Sequence, residues 1–472
     1  LTATYRADGS SRFLGDNRWG YFPSVAAGWK VSEESFLKNV SWLDLLKLRV
    51  SYGEAGNNNI ITGQTIQNYL SFNSTWINGV ESFWAASNVL ANPDLRWETT
   101  VTQNLGLDYE LFKGRVSGSF EVYKNLTNDL LINFPIPGSG YLTQYRNLGE
   151  IENKGFEASL FVDAIRKDKF GLNFSFNIAH NMNTINSLGE LGIYRPGSNW
   201  ASSAITEEYD VKVGGSIGEF YGYRSDGRYE VSDFDFVDGQ YILKADVANA
   251  STIVGAVRPG SMKLKDINGD GVVDANDRTV IGNANPGHTG GFVINANAHN
   301  FDLSAAFNWS YGNDIYNASK VEHTTATISN PNGQYRNLTT TMADGVRWTN
   351  IDPSSGELVT DPAALEALNA GTSLWSPYMP RYVLTDWAIE DGSFLRLNTL
   401  TLGYTMPKEV VSKIGIDRLR FYTTATNVFV LTNYSGLDPE VNTRRSTPLT
   451  PGIDYSGYPR SRQFVFGLNL NF

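Results

Sequence analysis

Apolar and polar residues alternate along this chain with a period of two rather than 3.6, over stretches long enough to be strands. From Gly171 to Ala179, Leu172, Phe174, Phe176 and Ile178 fall on one face, and Asn173, Ser175 and Asn177 on the other. From Phe301 to Ser310, Phe301, Leu303, Ala305, Phe307 and Trp309 oppose Asp302, Ser304, Ala306, Asn308 and Ser310. The pattern recurs at Leu105 to Leu111, Val116 to Val122, Phe156 to Val162 and Phe292 to Ala298. Successive side chains of a strand point to opposite faces, so this period predicts strands with one apolar and one wet face. Candidate strands fall near 1–6, 21–32, 46–56, 97–111, 115–131, 153–166, 169–183, 289–299, 301–313, 392–405, 418–432 and 459–472, twelve in all.

The connections between these strands alternate strictly between short and long. Short ones sit at Lys113-Gly114-Arg115, Lys167-Asp168-Lys169 and His299-Asn300, and connections of intermediate length at 33–45 and 406–417 suit helical caps. Bacterial outer-membrane barrels have short periplasmic turns and long extracellular loops, with apolar residues facing lipid and polar residues facing the lumen. Counting back from a periplasmic C-terminus puts every short turn on the periplasmic side. The expectation is therefore all-β, an antiparallel transmembrane β-barrel with long extracellular loops. A soluble all-β protein with a dry core is the competing reading; Asn, Ser and Asp on one face of long strands suit a wet lumen better.

Composition narrows the alternatives. The chain has 472 residues with 45 Gly, 24 Tyr, 25 Phe and 11 Trp, is 41% hydrophobic and has no long apolar run. A transmembrane helix needs about 18 or more consecutive apolar residues, so any crossing is by strands. There is no cysteine, which excludes disulfides and thiolate metal sites. The net charge of -11 is spread without a basic stripe, so nucleic acid is not an expected partner. Read from Leu1, the sequence shows no signal peptide, which suits a mature fragment or part of a longer chain.

Chemistry-bearing motifs are few. Asp266, Asn268, Asp270, Val272 (through its carbonyl), Asp274 and Asp277 stand at positions 1, 3, 5, 7, 9 and 12 of a calcium-type loop, with Gly271 at position 6. Asp replaces the usual Glu at the last position, so a weak site with a structural role in the 184–288 loop is expected. The competing reading is that Asn-Gly-Asp-Gly makes a tight turn without metal. Trp76, Phe83, Trp84, Trp200, Trp375 and Tyr378 are expected in extracellular loops, where rings stack on sugars or peptides; packing loops together is the plainer role. The four His, at 180, 288, 299 and 323, match no metal motif, and no nucleophile elbow or phosphate loop occurs, so no enzyme is expected. The last strand carries Phe464, Phe466, Leu468, Leu470 and Phe472 on one face and ends on an aromatic residue, resembling the signal read by the barrel assembly machinery.

Several phrases go beyond barrel grammar. Leu1-Thr-Ala-Thr-Tyr-Arg-Ala-Asp-Gly-Ser-Ser-Arg-Phe13, Arg18-Trp-Gly-Tyr-Phe-Pro-Ser-Val25, Leu45-Leu-Lys-Leu-Arg-Val-Ser-Tyr-Gly53, Phe220-Tyr-Gly-Tyr223, Asp266-Ile-Asn-Gly-Asp-Gly271, Asp277-Arg-Thr-Val-Ile-Gly-Asn-Ala-Asn-Pro286 and Tyr311-Gly-Asn-Asp-Ile-Tyr316 occur in order along the chain. Together they resemble the SusC/RagA-type TonB-dependent transporters of Bacteroidota, from end to end. The resemblance implies a barrel of about 22 strands in the Gram-negative outer membrane, among lipid and lipopolysaccharide, plugged by an N-terminal domain. It also implies a TonB contact through that N-terminal region and a SusD-like surface lipoprotein as lid. The chain would then be the C-terminal portion, with 459–472 as the closing strand. Import of glycans or oligopeptides is the function implied; a non-transporting structural subunit is the alternative, and a passive pore a third.

Overall fold

The computed structural model describes all residues except 72–75, 78–79, 82–83, 137, 202–204, 327–336 and 444–447. Twelve long strands form one sheet in strict chain order. They are β1 Thr2–Gly9, β2 Trp19–Lys30, β3 Leu43–Asn57, β4 Glu98–Leu111, β5 Val116–Asn128 and β6 Glu150–Lys167. The remainder are β7 Phe170–Ser187, β8 His288–Ala298, β9 Phe301–Tyr311, β10 Phe394–Thr405, β11 Arg418–Thr432 and β12 Gln463–Asn471. Every neighbouring pair is antiparallel.

A one-residue slip would turn each apolar face over, so the alternation itself specifies the register. Phe176 pairs with Phe292 and Phe292 with Phe307, and the last two rings stack at 4.4 Å. On the opposite face polar side chains pair across strands: Asn295 donates to Asn173 at 2.9 Å, and the hydroxyls of Ser119 and Ser159 lie 2.8 Å apart. Val50, Leu105 and Phe466 are more than half exposed on the apolar face, as lipid contact requires. Exposed aromatics bracket that face. On β2, Trp19 and Trp29 lie ten residues apart, each about half exposed, a span of about 26 Å along the normal for a strand tilted by about 40°. On β9, Phe301 and Tyr311 stand at the two ends in the same way.

The turns at one end are short. Phe112, Lys113 and Gly114 take positive φ, and Asp44 accepts from the amides of Lys113 and Gly114 at 2.6 and 3.2 Å. His299, at φ 54, makes the tight turn between β8 and β9. The two longer connections at this end carry short helical turns, Val31–Glu33 on one, Lys408–Val411 and Ser412–Ile414 on the other. At the other end the 188–287 and 312–393 connections fold into a cap with its own cores. One packs Tyr229, Phe234, Leu264, Met342 and Trp375; another packs Trp200, Tyr209, Phe220, Tyr316 and Leu384.

Several strands run further than the apolar pattern predicts: β1 reaches Gly9 and β3 starts at Leu43, against 1–6 and 46–56. β6 begins at Glu150 and β7 continues to Ser187, whereas the alternation extends only over 153–166 and 169–183. Backbone pairing does not need lipid, and beyond 153 and 183 the ribbon continues through Glu152–Thr184, Ile151–Ile185 and Glu150–Ser187, with Asn186 donating to Glu150 at 2.8 Å.

Candidate functional site

The inner wall is wet and tied across strands by arginines. Arg49 on β3 donates to both oxygens of Asp108 on β4 at 2.8 Å, and also reaches Glu121 on β5. Its path crosses Gly106, which pairs with both Arg49 and Glu121. A Cβ at Gly106 would stand 2.9 Å from Arg49 Nη2, so glycine leaves the space the guanidinium uses. The device recurs where Arg420 on β11 reaches Asp302 on β9 at 2.9 Å across Gly403.

At the extracellular end the wall changes phase on β10. A bulge at Asn398 shifts the β10 register against both neighbours and reverses the phase of the strand. Below it Leu400 and Leu402 face lipid; above it Leu395 and Leu397 do, so Arg396 points inward. Arg396 is 1% exposed. It donates to Asp438 at 2.7 Å and pairs with Glu440 at 2.8 Å, both in the 433–462 connection. It also binds Asn427, which takes φ 52 on the facing strand. Arg460 closes the ring on Glu440 at 2.8 Å. Pro439 and Glu440 of the clasped loop border an open hollow of about 530 Å³, lined by Asn177, Asn308 and Asn313 and equally by Trp309 and Phe394. That size falls among ligand pockets, roughly 300–1,000 Å³. The side-chain amides present both donors and acceptors, the groups that match glycan hydroxyls and peptide backbones alike.

Two of the loop aromatics take the plainer of the two roles. Trp200 and Trp375 are 7% and 3% exposed and lie inside the cap, so they hold loops together rather than offering rings to a ligand. Trp200 donates to the Tyr316 hydroxyl at 2.7 Å, next to Glu208, whose carboxyl is pushed up by burial. Tyr378 is 64% exposed. The side chains of Trp76, Phe83 and Trp84 lie outside the described residues. The histidines serve locally: His180 packs on Phe156, His288 stacks on Tyr311, His299 sits against Phe170, and His323 lies 3.8 Å from Glu322.

The acidic loop at 266–277 turns its carboxylates onto its own backbone. Asp266 accepts from Gly269 and Gly271 at 2.6 and 2.8 Å, Asp270 from Val272 at 2.9 Å and Asp274 from Asn276 at 2.7 Å. Asn268 accepts from the Asp270 amide at 2.9 Å. Asp277, fully buried, accepts from Ile267 and Asp274 at 2.8 Å and from Asn268 at 3.3 Å. Among the described residues, no three acidic or histidine side chains converge as a metal cage. The loop as folded thus gives the side chains of Asp266, Asn268, Asp270, Asp274 and Asp277 backbone partners.

Burial alone would raise the Asp277 pKa, but three backbone amides outweigh it and hold the carboxyl below its ordinary 3.8. A depressed folded value contributes stability that is present above the unfolded pKa and lost as pH falls through the folded one. Residues 260–280 are therefore expected to resist protease at neutral pH and to loosen in acid below 3.8. Asp277→Ala should remove that resistance with or without chelator, since each stranded amide costs about 1–3 kcal/mol. Calcium binding instead requires that chelation alone sensitise the unmutated loop.

Phe464, Phe466, Leu468 and Leu470 line the outward face of β12, between 39% and 80% exposed, with Phe472 beyond them. They continue the apolar band of β11, where Leu468 pairs with Phe421 and Leu470 with Leu419.

Residues 1–317 match the family described as TonB dependent receptor-like, beta-barrel. The whole chain aligns with a TonB-dependent receptor of Formosa agariphila at 34% identity over 44% of that protein. It aligns likewise with the TonB-dependent receptor SusC of Bacteroides thetaiotaomicron at 31% identity over 42% of it. Its fold matches 45% of the chain in the structure of the RagAB peptide transporter, over its own full length, with a TM-score of 0.74 and 25% identity. The chain thus spans less than half the length of these relatives. Lipid-facing and lumenal faces, aromatic brackets and these matches agree: the chain is an outer-membrane strand wall and belongs to the TonB-dependent receptor-like β-barrel family, within it to the SusC/RagA type of Bacteroidota.

Proposed function

We propose that this chain supplies wall and mouth to an active, non-enzymatic importer of oligomeric nutrients, glycan or oligopeptide, energised through TonB and closed above by a SusD-like surface lipoprotein. The observation that carries this reading is the open, partly amide-lined hollow of about 530 Å³ beside the clasped 433–462 loop, placed where the polar lumen opens to the exterior. The RagAB neighbour is named a peptide transporter, and SusC a TonB-dependent receptor, which supports the import reading without choosing the cargo. The folded cap offers exposed apolar positions such as Phe236, Val237, Ile242 and Tyr378. Loops of this size can supply the roughly 800 Å² per partner that a stable lid interface needs.

The test is an in-frame deletion of the complete gene in its own bacterium, grown on separate glycans and oligopeptides as limiting nutrient. Loss of growth on one class, reproduced by disabling TonB, is the expected result. Unchanged growth on every class, with no lipoprotein co-purifying, would favour the structural-subunit reading.

A further inference from the structure

The lipid-facing surface of β2 to β5 is not smooth. It holds a groove of about 560 Å³ lined by Val25, Ala27, Val50, Leu105 and Val122, with Lys124 at its extracellular end. The lining is apolar, and the five apolar residues share the outward face by register: Val50 pairs with Ala27 and Leu105, and Leu105 with Val122. Above the groove the outward row changes character. Tyr52, Gln103, Lys124 and Lys154 are consecutive register partners across β3 to β6.

The two lysines share one acid. Lys124 Nζ lies 2.8 Å and Lys154 Nζ 3.6 Å from Glu152, and the lysine side chains are 50% and 54% exposed while Glu152 is 15% exposed. Two further outward acids stand farther off: Glu54, two strands from Lys124, accepts from the Tyr52 hydroxyl at 2.8 Å, and Glu150, four residues from Lys154, accepts from Asn186 at 2.8 Å. The lysine pair thus has one carboxylate within ion-pair reach, on a surface that faces lipid. Its height is informative. Lys124 stands eight residues above Val116, the first residue of β5, which is about 21 Å along the normal for a strand tilted by about 40°. The lysine stem extends further, placing the ammonium at the upper edge of an apolar band about 25 Å tall.

We propose that this face is a built binding site for a phosphorylated glycolipid of the outer leaflet, of the lipid A type. One acyl chain lies in the groove below Lys124, and a phosphate lies between Lys124 and Lys154. A soluble phosphate would use the cations but not the apolar groove, and an uncharged lipid would use the groove but not the cations. The combination selects a ligand with both. The site rests on the outer-membrane placement of the wall and is independent of what the protein imports.

The test uses the complete protein with its partners, purified in mild detergent, delipidated and placed in nanodiscs containing lipid A or enzymatically dephosphorylated lipid A. Retained lipid is counted by native mass spectrometry. Lys124→Gln with Lys154→Gln should lower retained lipid A by about tenfold or more, while Ala27→Trp, which fills the groove and keeps both lysines, should lower it as well. Heat-modifiable migration on electrophoresis confirms that each variant is a folded barrel. The proposal is overturned if the double variant retains lipid A as the parent does, or if the dephosphorylated lipid is retained equally well.

Discussion

Arg396→Met is expected to free the 433–462 loop from the barrel mouth while leaving the strand wall folded. Arg396 and Asp438 are 1% and 4% exposed, so removing the cation leaves a buried carboxylate facing Glu440 without its main counter-charge. Breaking a buried pair from one side costs about 3–5 kcal/mol, more than a surface loop of this length can absorb. Arg460 cannot compensate from its place, since it already spans Asp438 and Glu440 at 3.3 and 2.8 Å. Limited proteolysis of intact cells should cut within 433–462 in the variant and spare the parent. Adding Asp438→Asn to Arg396→Met should restore part of the protection, because the penalty lies in the stranded charge. Equal protection in parent and single variant would show that the clasp does not hold the loop.

Gly260→Ala is expected to be the most damaging single methyl in the extracellular cap. Gly260 takes φ +87, and a Cβ there would lie 2.0 Å from Cδ1 of Trp348. That indole is 1% exposed, is covered by the Arg228 guanidinium at 4.7 Å and donates to Asn350 at 2.6 Å. Relief requires expelling the ring, and losing a buried tryptophan from a core costs about 3–5 kcal/mol. Gly271 provides the control. Its φ is +85, but nothing lies within 4 Å of the added carbon, so Ala there carries only the left-handed backbone cost of about 1–2 kcal/mol. Hydrogen exchange should show the cap between 188 and 287 losing protection broadly in Gly260→Ala and only locally in Gly271→Ala. Equal losses would mean that Trp348 does not organise the cap.

The strand wall is legible in the sequence because lipid and lumen impose opposite demands on alternate residues, and register slips are penalised on both faces. Strand ends are less legible. At β6 and β7 the apolar pattern stops with the membrane, while backbone pairing continues to Glu150 and Ser187, where Asn186 donates to Glu150. Phe174 and Asn173 announce their faces. Trp200 and Trp375 do not, since an aromatic residue in a loop reads equally as a ligand platform or as the centre of a small core.

The clasp escapes sequence reading for a different reason: Arg396 and Asp438 are 42 positions apart, and nothing local links them. A trace exists in the phase of β10, where leucines at 395 and 397 give way to leucines at 400 and 402. That change signals a bulge and so an inward Arg396. At 266–277 the spacing of the acids is plain, but spacing alone does not say whether their oxygens meet a metal or the backbone amides that the Asn-Gly-Asp-Gly turn presents.

One face of these strands meets lipid and the other water. This chain has no cysteine, so single cysteines report without background once any elsewhere in the complete protein are removed. Each residue from Leu172 to Ile178 on β7 would be replaced in turn, and intact cells or outer-membrane vesicles labelled with a membrane-impermeant maleimide. Labelling should rise at Asn173→Cys, Ser175→Cys and Asn177→Cys and stay low at Leu172→Cys, Phe174→Cys, Phe176→Cys and Ile178→Cys. Uniform labelling, or the opposite phase, would contradict the membrane wall described here.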